Sequence, residues 1–207
     1  MAGEREWTVL LIGGGSATGT TTLGEALARR FDARYIDLDL FWITLQRALP
    51  SDVEPALHLF EAESVWEEAP SSLVERYVRA ASYVSWACER LVAHHCLIDT
   101  AAVIEGSWVL PSFATQGTYD GHDTGPKVRS LFLFEPSAQE IESRIRGRRD
   151  WLQKLPAESQ RNHVEMQALY GIEIKRRAEA LGLPVLESKP FETLEARALV
   201  ALGEASS

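Results

Sequence analysis

The sequence predicts a single doubly wound α/β domain, in which helices cover both faces of a parallel sheet. The length of 207 residues is enough for one domain with a substantial core and short for two. Strand and helix signals alternate from one end of the chain to the other, which is typical of parallel strands joined by helical crossovers. Residues 8–12 form a continuous β-favouring run that ends at glycines, as expected for a buried central strand.

The first half of the chain contains two further strand signals and three helix signals. Apolar residues at helical spacing from Leu23 to Phe31 predict a helix that begins near Gly19. Residues 35–37 are predicted as the second strand and residues 40–49 as a helix, whereas residues 51–70 show no clear pattern. A helix over residues 72–94 is marked by a capping pattern, and residues 101–105 form the third predicted strand.

The second half continues the alternation after a break. Residues 111–129 are Gly-rich and without periodicity, which predicts a functional lid or a disordered segment. Residues 130–134 and 184–186 are the fourth and fifth predicted strands, and helices are predicted after residue 137, over 157–181 and over 193–202. Two capping patterns support this assignment, Ser72 with Glu75 and Ser137 with Glu140.

The composition excludes several classes of protein. With 45% hydrophobic and 25% charged residues, the chain is neither disordered nor fibrous. Its 30 acidic and 21 basic residues give a formal charge of −9, which argues against nucleic acid as the main partner. Two cysteines, Cys88 and Cys96, are too few for a disulfide framework and are expected to be small buried residues. No signal peptide and no apolar run near the roughly 20 residues of a membrane span is recognisable, so we expect a cytoplasmic protein with no membrane partner.

A phosphate-binding loop is the strongest motif. Its eight residues follow G-x-x-x-x-G-K-[ST] at every fixed place except the lysine: Gly14, Gly15, Ser16, Ala17, Thr18, Gly19, Thr20 and Thr21. The motif lies between a predicted strand and a predicted helix, where backbone N–H groups and the helix N-terminus attract phosphate. The segment through Thr22 is therefore predicted to bind a nucleoside triphosphate, with the Thr21 hydroxyl on Mg²⁺; the alternative is a turn that binds nothing.

The missing lysine requires a substitute if the site is catalytic. Thr20 can donate a hydrogen bond but supplies no positive charge to the β- and γ-phosphates. Arg144, Arg148 and Arg149 belong to a basic cluster in an otherwise acidic chain, and guanidinium groups suit a transferring phosphoryl group. They are our candidates to replace the lysine. The alternatives are a solvated basic face and a protein that binds nucleotide without catalysis.

Carboxylates follow two of the predicted strands, where ligands of open α/β sheets collect. Asp37 and Asp39 end the second strand. Either could deprotonate an acceptor hydroxyl while the other helps to hold Mg²⁺, with Asp37 as the metal candidate, or either could cap the next helix. Glu105 ends the third strand and could act on the metal through a water, or be an ordinary strand-end acid. Trp108 could line the acceptor pocket together with Asp39, or simply pack.

These motifs together resemble the small-molecule P-loop kinases, the group of adenylate, shikimate and gluconate kinases and chloramphenicol phosphotransferase. The run Ile36-Asp37-Leu38-Asp39 is similar to the D-x-D of shikimate kinases. The run Val103-Ile104-Glu105-Gly106-Ser107-Trp108-Val109-Leu110-Pro111 resembles I-E-G-x-H-L-x-P of the 2-phosphoglycerate kinase family. The resemblance implies a five-stranded sheet ordered 2-3-1-4-5, Mg-ATP on the phosphate loop and an Arg-bearing lid at about residues 144–156. Thr20 and Trp108 depart from that pattern, and Trp108 suggests an acceptor less polar than phosphoglycerate.

The leading hypothesis is an ATP- and Mg²⁺-dependent phosphotransferase acting on a hydroxyl or phosphate of a small molecule. The acceptor could be a glycerate-type acid, a nucleoside or its monophosphate, or a natural product such as an antibiotic. A nucleotide-binding protein without kinase activity is the alternative, for which Thr20 is the main argument, and a purely structural α/β module is a third. Monomer and homodimer both stay open.

Overall fold

The computed structural model describes residues 5–148 and 151–204, without the side chains of Glu63 and Arg148. Five parallel strands form the central sheet: β1 (Val9–Gly14), β2 (Arg34–Asp37), β3 (Ala102–Glu105), β6 (Val128–Phe134) and β7 (Val185–Glu187). Two further strands, β4 (Thr118–Tyr119) and β5 (His122–Asp123), pair antiparallel in a separate hairpin. The order in the main sheet is β2-β3-β1-β6-β7, which is the predicted order 2-3-1-4-5 once the hairpin strands are left uncounted.

Seven helices lie in the described ranges: α1 (Thr20–Arg30), α2 (Leu38–Ala48), α3 (Pro70–Leu97), α4 (Pro111–Ala114), α5 (Ala138–Arg148), α6 (Ala157–Ala180) and α7 (Leu194–Leu202). Side chains of β1 alternate between two apolar layers, as the period of a strand requires. Val9 and Leu11 pack with α3 and α6, whereas Leu10 and Ile12 pack with α1 and α7. The sheet is therefore covered on both faces, and the prediction of a three-layer α/β domain is confirmed.

The start of α3 differs from the sequence prediction. The helix begins at Pro70 with Ala69 as its N-cap, so the capping pattern at Ser72 lies inside the first turn and does not mark the terminus. Proline suits this place because its fixed φ and missing N–H cost nothing in the first turn. The second capping prediction is confirmed, because the Ser137 hydroxyl accepts a hydrogen bond from the Glu140 N–H at 3.2 Å.

Residues 111–129 are not the patternless segment that the sequence predicts. They contain α4, the β4–β5 hairpin and a 3-10 turn at Gly125–Lys127. Tyr119 is fully buried and its hydroxyl donates to the Phe113 carbonyl. Asp120 binds α3 through Arg90 at 2.7 Å and through the carboxylate of Glu89, which accepts from the Asp120 N–H. These bonds attach the segment to α3. The sequence did not reveal the hairpin, because its strands of two residues are too short to show a periodic pattern.

Three smaller features complete the fold. Residues 51–69, which showed no clear pattern, contain two 3-10 turns at Pro55–His58 and Glu63–Glu67. Cys88 and Cys96 are buried thiols, as predicted, and burial raises the pKa of Cys88 to about 12. Among the described helices, none combines the length and apolar character that crossing a bilayer would take.

Candidate active site

A cavity of about 560 Å³ lies at the carboxyl edge of the sheet. The strand register places the ends of three strands beside one another there, because Glu105 is aligned with Ile12 of β1 and with Asp37 of β2. The wall contains residues from the phosphate loop, α2, the 3-10 turns, α3, the segment after β3, α5 and α6: Gly15, Ser16, Ala17, Gly19, Thr20, Thr21, Asp39, Trp42, Ile43, Phe60, Trp66, Tyr77, Glu105, Gly106, Ser107, Trp108, Arg144, Ile145, Trp151, His163 and Gln167. The volume is in the range of small-molecule sites.

The phosphate loop has a backbone that favours glycine. Gly19 has φ of 95° and Ala17 has φ of 65°, so both residues adopt a left-handed backbone conformation that glycine accommodates most easily. A side chain at Gly14 would place its Cβ 2.6 Å from the Leu133 carbonyl oxygen. The Thr18 hydroxyl closes the loop internally by donating to the Gly15 carbonyl at 2.7 Å. This conformation leads into the N-terminus of α1, where phosphate is attracted by the helix dipole and free N–H groups.

Two contacts from distant parts of the chain support the loop. Gly15 lies against Gly171 of α6, so closely that a Cβ on Gly15 would come within 3.0 Å of the Gly171 Cα. The Ser188 hydroxyl, which follows β7, donates to the Thr18 carbonyl at 2.8 Å. The loop is therefore held by α6, which also contributes to the cavity wall, and by the segment after β7.

Glu105 is a buried carboxylate at the bottom of the cavity, 1% exposed. Its Oε1 accepts a hydrogen bond from the Tyr35 hydroxyl at 2.7 Å, whereas its buried Oε2 has no hydrogen-bond partner. Burial raises the pKa of Glu105, and the bond from Tyr35 opposes this rise. Burial and the same carboxylate raise the pKa of the Tyr35 hydroxyl in turn.

Thr20, which replaces the expected lysine, lies beside this carboxylate. Its hydroxyl interacts with Glu105 and lowers the pKa of that carboxyl, but it forms no hydrogen bond of standard geometry with Oε2. The nearby charges of Asp37 and Asp39 act in the opposite direction and raise the pKa of Glu105. The bottom of the cavity therefore concentrates oxygen ligands and negative charge.

The two acids after β2 have different positions. Asp39 lines the cavity, and its Oδ1 accepts a hydrogen bond from the Trp108 indole Nε1–H at 2.7 Å. Asp37 is the N-cap of α2 and its Oδ1 accepts from the Asp39 N–H, also at 2.7 Å. Asp37 does not line the cavity, so its position supports the capping alternative more than the predicted role at the metal.

Arg144 lies on α5, and its side chain reaches the phosphate loop. Its guanidinium donates to the Ala17 carbonyl and to the Glu135 carboxylate, each at 2.8 Å, and to Glu140 at 3.3 Å. It also lies over the Phe191 ring at 4.7 Å. Among the side chains that the structure describes, Arg144 is the one arginine or lysine on the cavity wall, which also contains His163. Arg148 also belongs to α5, but its side chain is outside the described part, and Arg149 lies outside the described residues altogether.

Six aromatic rings form one end of the cavity: Trp42, Phe60, Trp66, Tyr77, Trp108 and Trp151. Of these, only Trp108 was a sequence candidate. Four of the six tryptophans of the chain lie here. The number of tryptophans was the one feature of the sequence that could have pointed to the other rings. We call this part the aromatic end and the part formed by the phosphate loop, Glu105 and Arg144 the phosphate-loop end.

Several predicted residues support the cavity without lining it. Gly14 and Thr18 shape the phosphate loop, and Thr22 is an exposed residue in the first turn of α1. No residue between 111 and 129 lines the cavity, so this segment is not a lid over it. Searching the described residues finds no cluster of three or more His, Cys, Asp or Glu side chains that could hold a metal ion by themselves.

Comparison with known proteins identifies the fold. No family model matches the chain, and no curated protein matches it. A gluconokinase from Sinorhizobium meliloti 1021 superposes with a TM-score of 0.56 at 15% identity, covering 97% of this chain and 94% of that one. A sugar kinase from Janibacter sp. HTCC2649 gives 0.53 at 19% identity over 96% of each chain. A shikimate kinase from Bacteroides thetaiotaomicron gives 0.51 at 17% identity, covering 95% of this chain and 98% of that one. At these identities the likeness is one of fold, and the chain has the α/β fold of the P-loop kinases.

Proposed function

We propose that this chain is an ATP- and Mg²⁺-dependent phosphotransferase that moves the γ-phosphoryl group to a hydroxyl of a small molecule. The observation that carries the proposal is that the phosphate loop, Glu105 and Asp39 share one cavity. A phosphate site, an acid for the metal's waters and a candidate base are the parts that phosphoryl transfer requires. The kinase neighbours support the same class of reaction through their fold.

The phosphate-loop end fits a Mg-nucleotide. Backbone N–H groups of residues 15–21 bind the phosphates, as in other loops whose successive N–H groups form an anion site. Gly14 is required for the shape of this loop, because a Cβ there would have no room. The Thr21 hydroxyl is an oxygen ligand of the kind that Mg²⁺ prefers. The buried Oε2 of Glu105, which has no hydrogen-bond partner, can accept a hydrogen bond from a water on the metal. When bound, Mg²⁺ neutralises charge on the phosphate oxygens. Glu105 orients the waters around it.

Asp39 receives the proton that leaves the acceptor. The acceptor oxygen forms a bond to the γ-phosphorus while the bond from that phosphorus to the β–γ bridging oxygen breaks, and ADP leaves. The hydroxyl proton passes to the Asp39 carboxylate. Trp108 positions that carboxylate, because its indole N–H donates to Oδ1 at 2.7 Å.

The charge of the absent lysine comes from the basic segment after residue 143. Arg144 already touches the phosphate loop through the Ala17 carbonyl, and its bonds to Glu135 and Glu140 must be exchanged in part if it turns toward phosphate. Arg148 and Arg149 are the other candidates. A guanidinium at this place supplies the positive charge that Thr20 lacks.

Calorimetry with AMP-PNP, with and without Mg²⁺, tests the nucleotide site. We expect Mg²⁺ to strengthen the binding of AMP-PNP. In the presence of Mg²⁺, Thr21→Ala should raise the dissociation constant of AMP-PNP by roughly tenfold, the scale of losing a group that supports a metal site. Thr21 is exposed, so the variant should fold. Ser82→Ala is the matched control, since Ser82 is an exposed helix residue that does not line the cavity. Binding of AMP-PNP that is absent or insensitive to both Mg²⁺ and Thr21 would refute the proposal.

A nucleotide-binding protein without transferase activity is the second candidate, favoured by Thr20 and by the carboxylate partners of Arg144. ADP formation in the presence of acceptor panels separates the two. If the chain is a kinase, Glu105→Gln should keep AMP-PNP binding and lower turnover by roughly two orders of magnitude, as when one electrostatic group is removed from a transfer site. Tight binding without ADP formation from any acceptor would instead support the second candidate.

A further inference from the structure

We propose that the acceptor of this phosphotransferase is a small molecule with a flat ring system and a hydrogen-bond donor, stacked at the aromatic end and donating to Gln167. The inference rests on the proposed function, and it specifies the class of substrate for the same site. It excludes open-chain hydroxy acids as the preferred acceptors.

The aromatic end is a continuous series of ring contacts. Trp42 lies 4.8 Å from Trp108, and Trp108 lies 4.7 Å from Tyr77. Phe60 lies 5.4 Å from Tyr77 and stacks on Trp66 at 5.2 Å with only 7° between the planes. These rings come from α2, the second 3-10 turn and the segment before it, α3 and the segment after β3. Trp66, Tyr77 and Trp108 are only 3%, 4% and 1% exposed and belong to the core, and together with Trp42 and Phe60 they border the open volume of the cavity.

Two apolar side chains at this end are exposed although they belong to the cavity wall. Trp151 is 42% exposed and stacks on Trp66 with centroids 6.0 Å apart. Ile43 is 54% exposed on α2. Exposed apolar patches rimmed by polar residues mark binding sites, and these two side chains border a cavity that also contains polar groups. A flat ring bound beside Trp151 and Ile43 would remove that surface from water.

Gln167 supplies the polar partner. It is 2% exposed and lines the cavity, yet its buried Oε1 has no hydrogen-bond partner. One helical turn before it, His163 contacts the rings of Trp66 and Trp151; one turn after it, Gly171 contacts the phosphate loop. Gln167 therefore lies where the two ends of the cavity meet. A buried amide oxygen without a donor is costly, and a ligand N–H or O–H group removes that cost.

The charges of the wall favour a ring over an acid. Asp39 and Glu105 are both carboxylates of the cavity. Among the side chains that the structure describes, the one arginine or lysine of the wall is Arg144, which is bonded to Glu135 and Glu140 at the phosphate-loop end. A carboxylated acceptor would bring a third negative charge to this place, whereas aromatic faces attract neutral or cationic rings.

Tryptophan fluorescence tests the proposal without needing turnover, because four tryptophans line the cavity. The full chain is titrated with ring alcohols (thymidine and pyridoxine) and with open-chain acids (D-gluconate and D-glycerate), in the absence and presence of saturating Mg-AMP-PNP. We expect a ring alcohol to quench at lower concentration than either acid, and to bind together with AMP-PNP.

Three variants separate stacking from folding. Trp151→Ala should weaken binding of the ring alcohol by roughly tenfold, the scale of one lost aromatic stack. Trp86→Ala is the matched control, since Trp86 is 67% exposed on α3 outside the cavity, and it should change nothing. Gln167→Met should weaken binding by roughly fivefold while leaving the unliganded protein as stable or more stable, because a buried acceptor without a donor is removed.

The outcomes distinguish this proposal from the proposed function. If AMP-PNP does not bind, the nucleotide site and the proposed function fail. If AMP-PNP binds but an acid binds more tightly than every ring alcohol, or no ring alcohol binds, the acceptor class alone is overturned. Competition between ring alcohols and AMP-PNP would also overturn it, since the aromatic end would then hold the nucleotide base. Equal effects of Trp151→Ala and Trp86→Ala would count against stacking.

Discussion

Glu105 carries its charge where a charge is costly. It is buried at the end of β3, accepts one hydrogen bond from Tyr35 and leaves Oε2 without a partner. Burial is the largest cause of its raised pKa, so the folded protein holds this proton more tightly than the unfolded chain does. A group placed in this way is typical of functional sites, where it can respond to a bound cation.

Glu105→Gln should make the protein more stable at high pH. The pKa of Glu105 in the folded protein lies above the ordinary value of 4.5, so the unfolded chain releases this proton at a lower pH than the folded protein does. Stability therefore falls as the pH rises from the ordinary value to the folded pKa. Glutamine removes the charge and can still accept from Tyr35, so the gain in free energy of unfolding should grow with pH. Urea denaturation across the pH range measures it. Glu165→Gln, at an exposed position of α6, is the control, and parallel curves for the two variants would contradict the expectation.

At the scale of elements, α6 and the phosphate loop meet through two glycines. A Cβ on Gly171 would lie 4.0 Å from the Gly15 Cα, an ordinary contact, whereas a Cβ on Gly15 would lie 3.0 Å from the Gly171 Cα. The two positions therefore differ in what they tolerate, although both are glycines of the same contact.

Gly171→Ala should stabilise the protein, because alanine in a helix interior is favoured over glycine by about 0.5–1 kcal/mol. Gly15→Ala should destabilise it by about 1–3 kcal/mol, the usual cost of overpacking, and weaken binding of AMP-PNP because the loop must shift. Urea denaturation and calorimetry on the two variants provide the comparison. A Gly171→Ala variant that loses stability would show that this contact is tighter than described.

The turn between α2 and α3 is held by a histidine clasp. His58 contacts the Leu49 carbonyl through Nε2 at 2.7 Å and the Glu61 carboxylate through Nδ1 at 2.5 Å. Both partners are acceptors, so the ring is best satisfied when both nitrogens carry protons. The backbone bond to Leu49 is the largest cause of the raised pKa of His58. The clasp holds the segment that carries two rings of the aromatic end, Phe60 and Trp66.

His58→Gln should cost stability in acid and little in base. The raised folded pKa means that the contribution of His58 is fully present below its ordinary value of 6.5 and is lost as the pH rises through the folded pKa. The difference in free energy of unfolding between the variant and the wild type should therefore be largest near about pH 5.5 and shrink toward about pH 9. His122→Gln, in the β4–β5 hairpin, is the control. A pH-independent difference would argue against a charged clasp.

At the scale of the whole molecule, the cavity joins segments that are distant in sequence. The phosphate loop and Asp39 come from the first fifth of the chain, Tyr77 and Trp108 from the middle, and Gln167 from α6. A ligand that binds across this cavity links layers on both sides of the sheet edge, and it binds the folded state only.

Mg-AMP-PNP should therefore raise the midpoint of thermal unfolding. At a concentration about 100 times its dissociation constant, a ligand adds about 2.7 kcal/mol, which is roughly 5–10 °C for a domain of this size. Differential scanning fluorimetry with and without Mg²⁺ measures the shift, with AMP and Mg²⁺ as the matched control that lacks the β- and γ-phosphates. No shift at saturation would mean that the phosphate loop binds no nucleotide.

The sequence alone determined the class of fold and the phosphate loop, because both follow from local patterns, whereas the order of the main strands was implied only by the resemblance to the P-loop kinases. Residues 9–12 are continuously apolar, the glycines come directly after them, and Ser137 caps its helix as its spacing predicts. The same local reasoning misplaced the start of α3, where proline in the first turn was the better signal. It also missed the β4–β5 hairpin, whose strands are too short to show a period.

Only the tertiary structure decided which residues share the cavity. Asp37 and Asp39 are equivalent in sequence, yet helix capping holds one side chain and leaves the other on the cavity wall. Trp42, Tyr77 and Trp151 appear as ordinary apolar residues of separate segments. They meet because the parallel strands end at one edge and the helices after them pack over it, and such long-range contacts have no local signal.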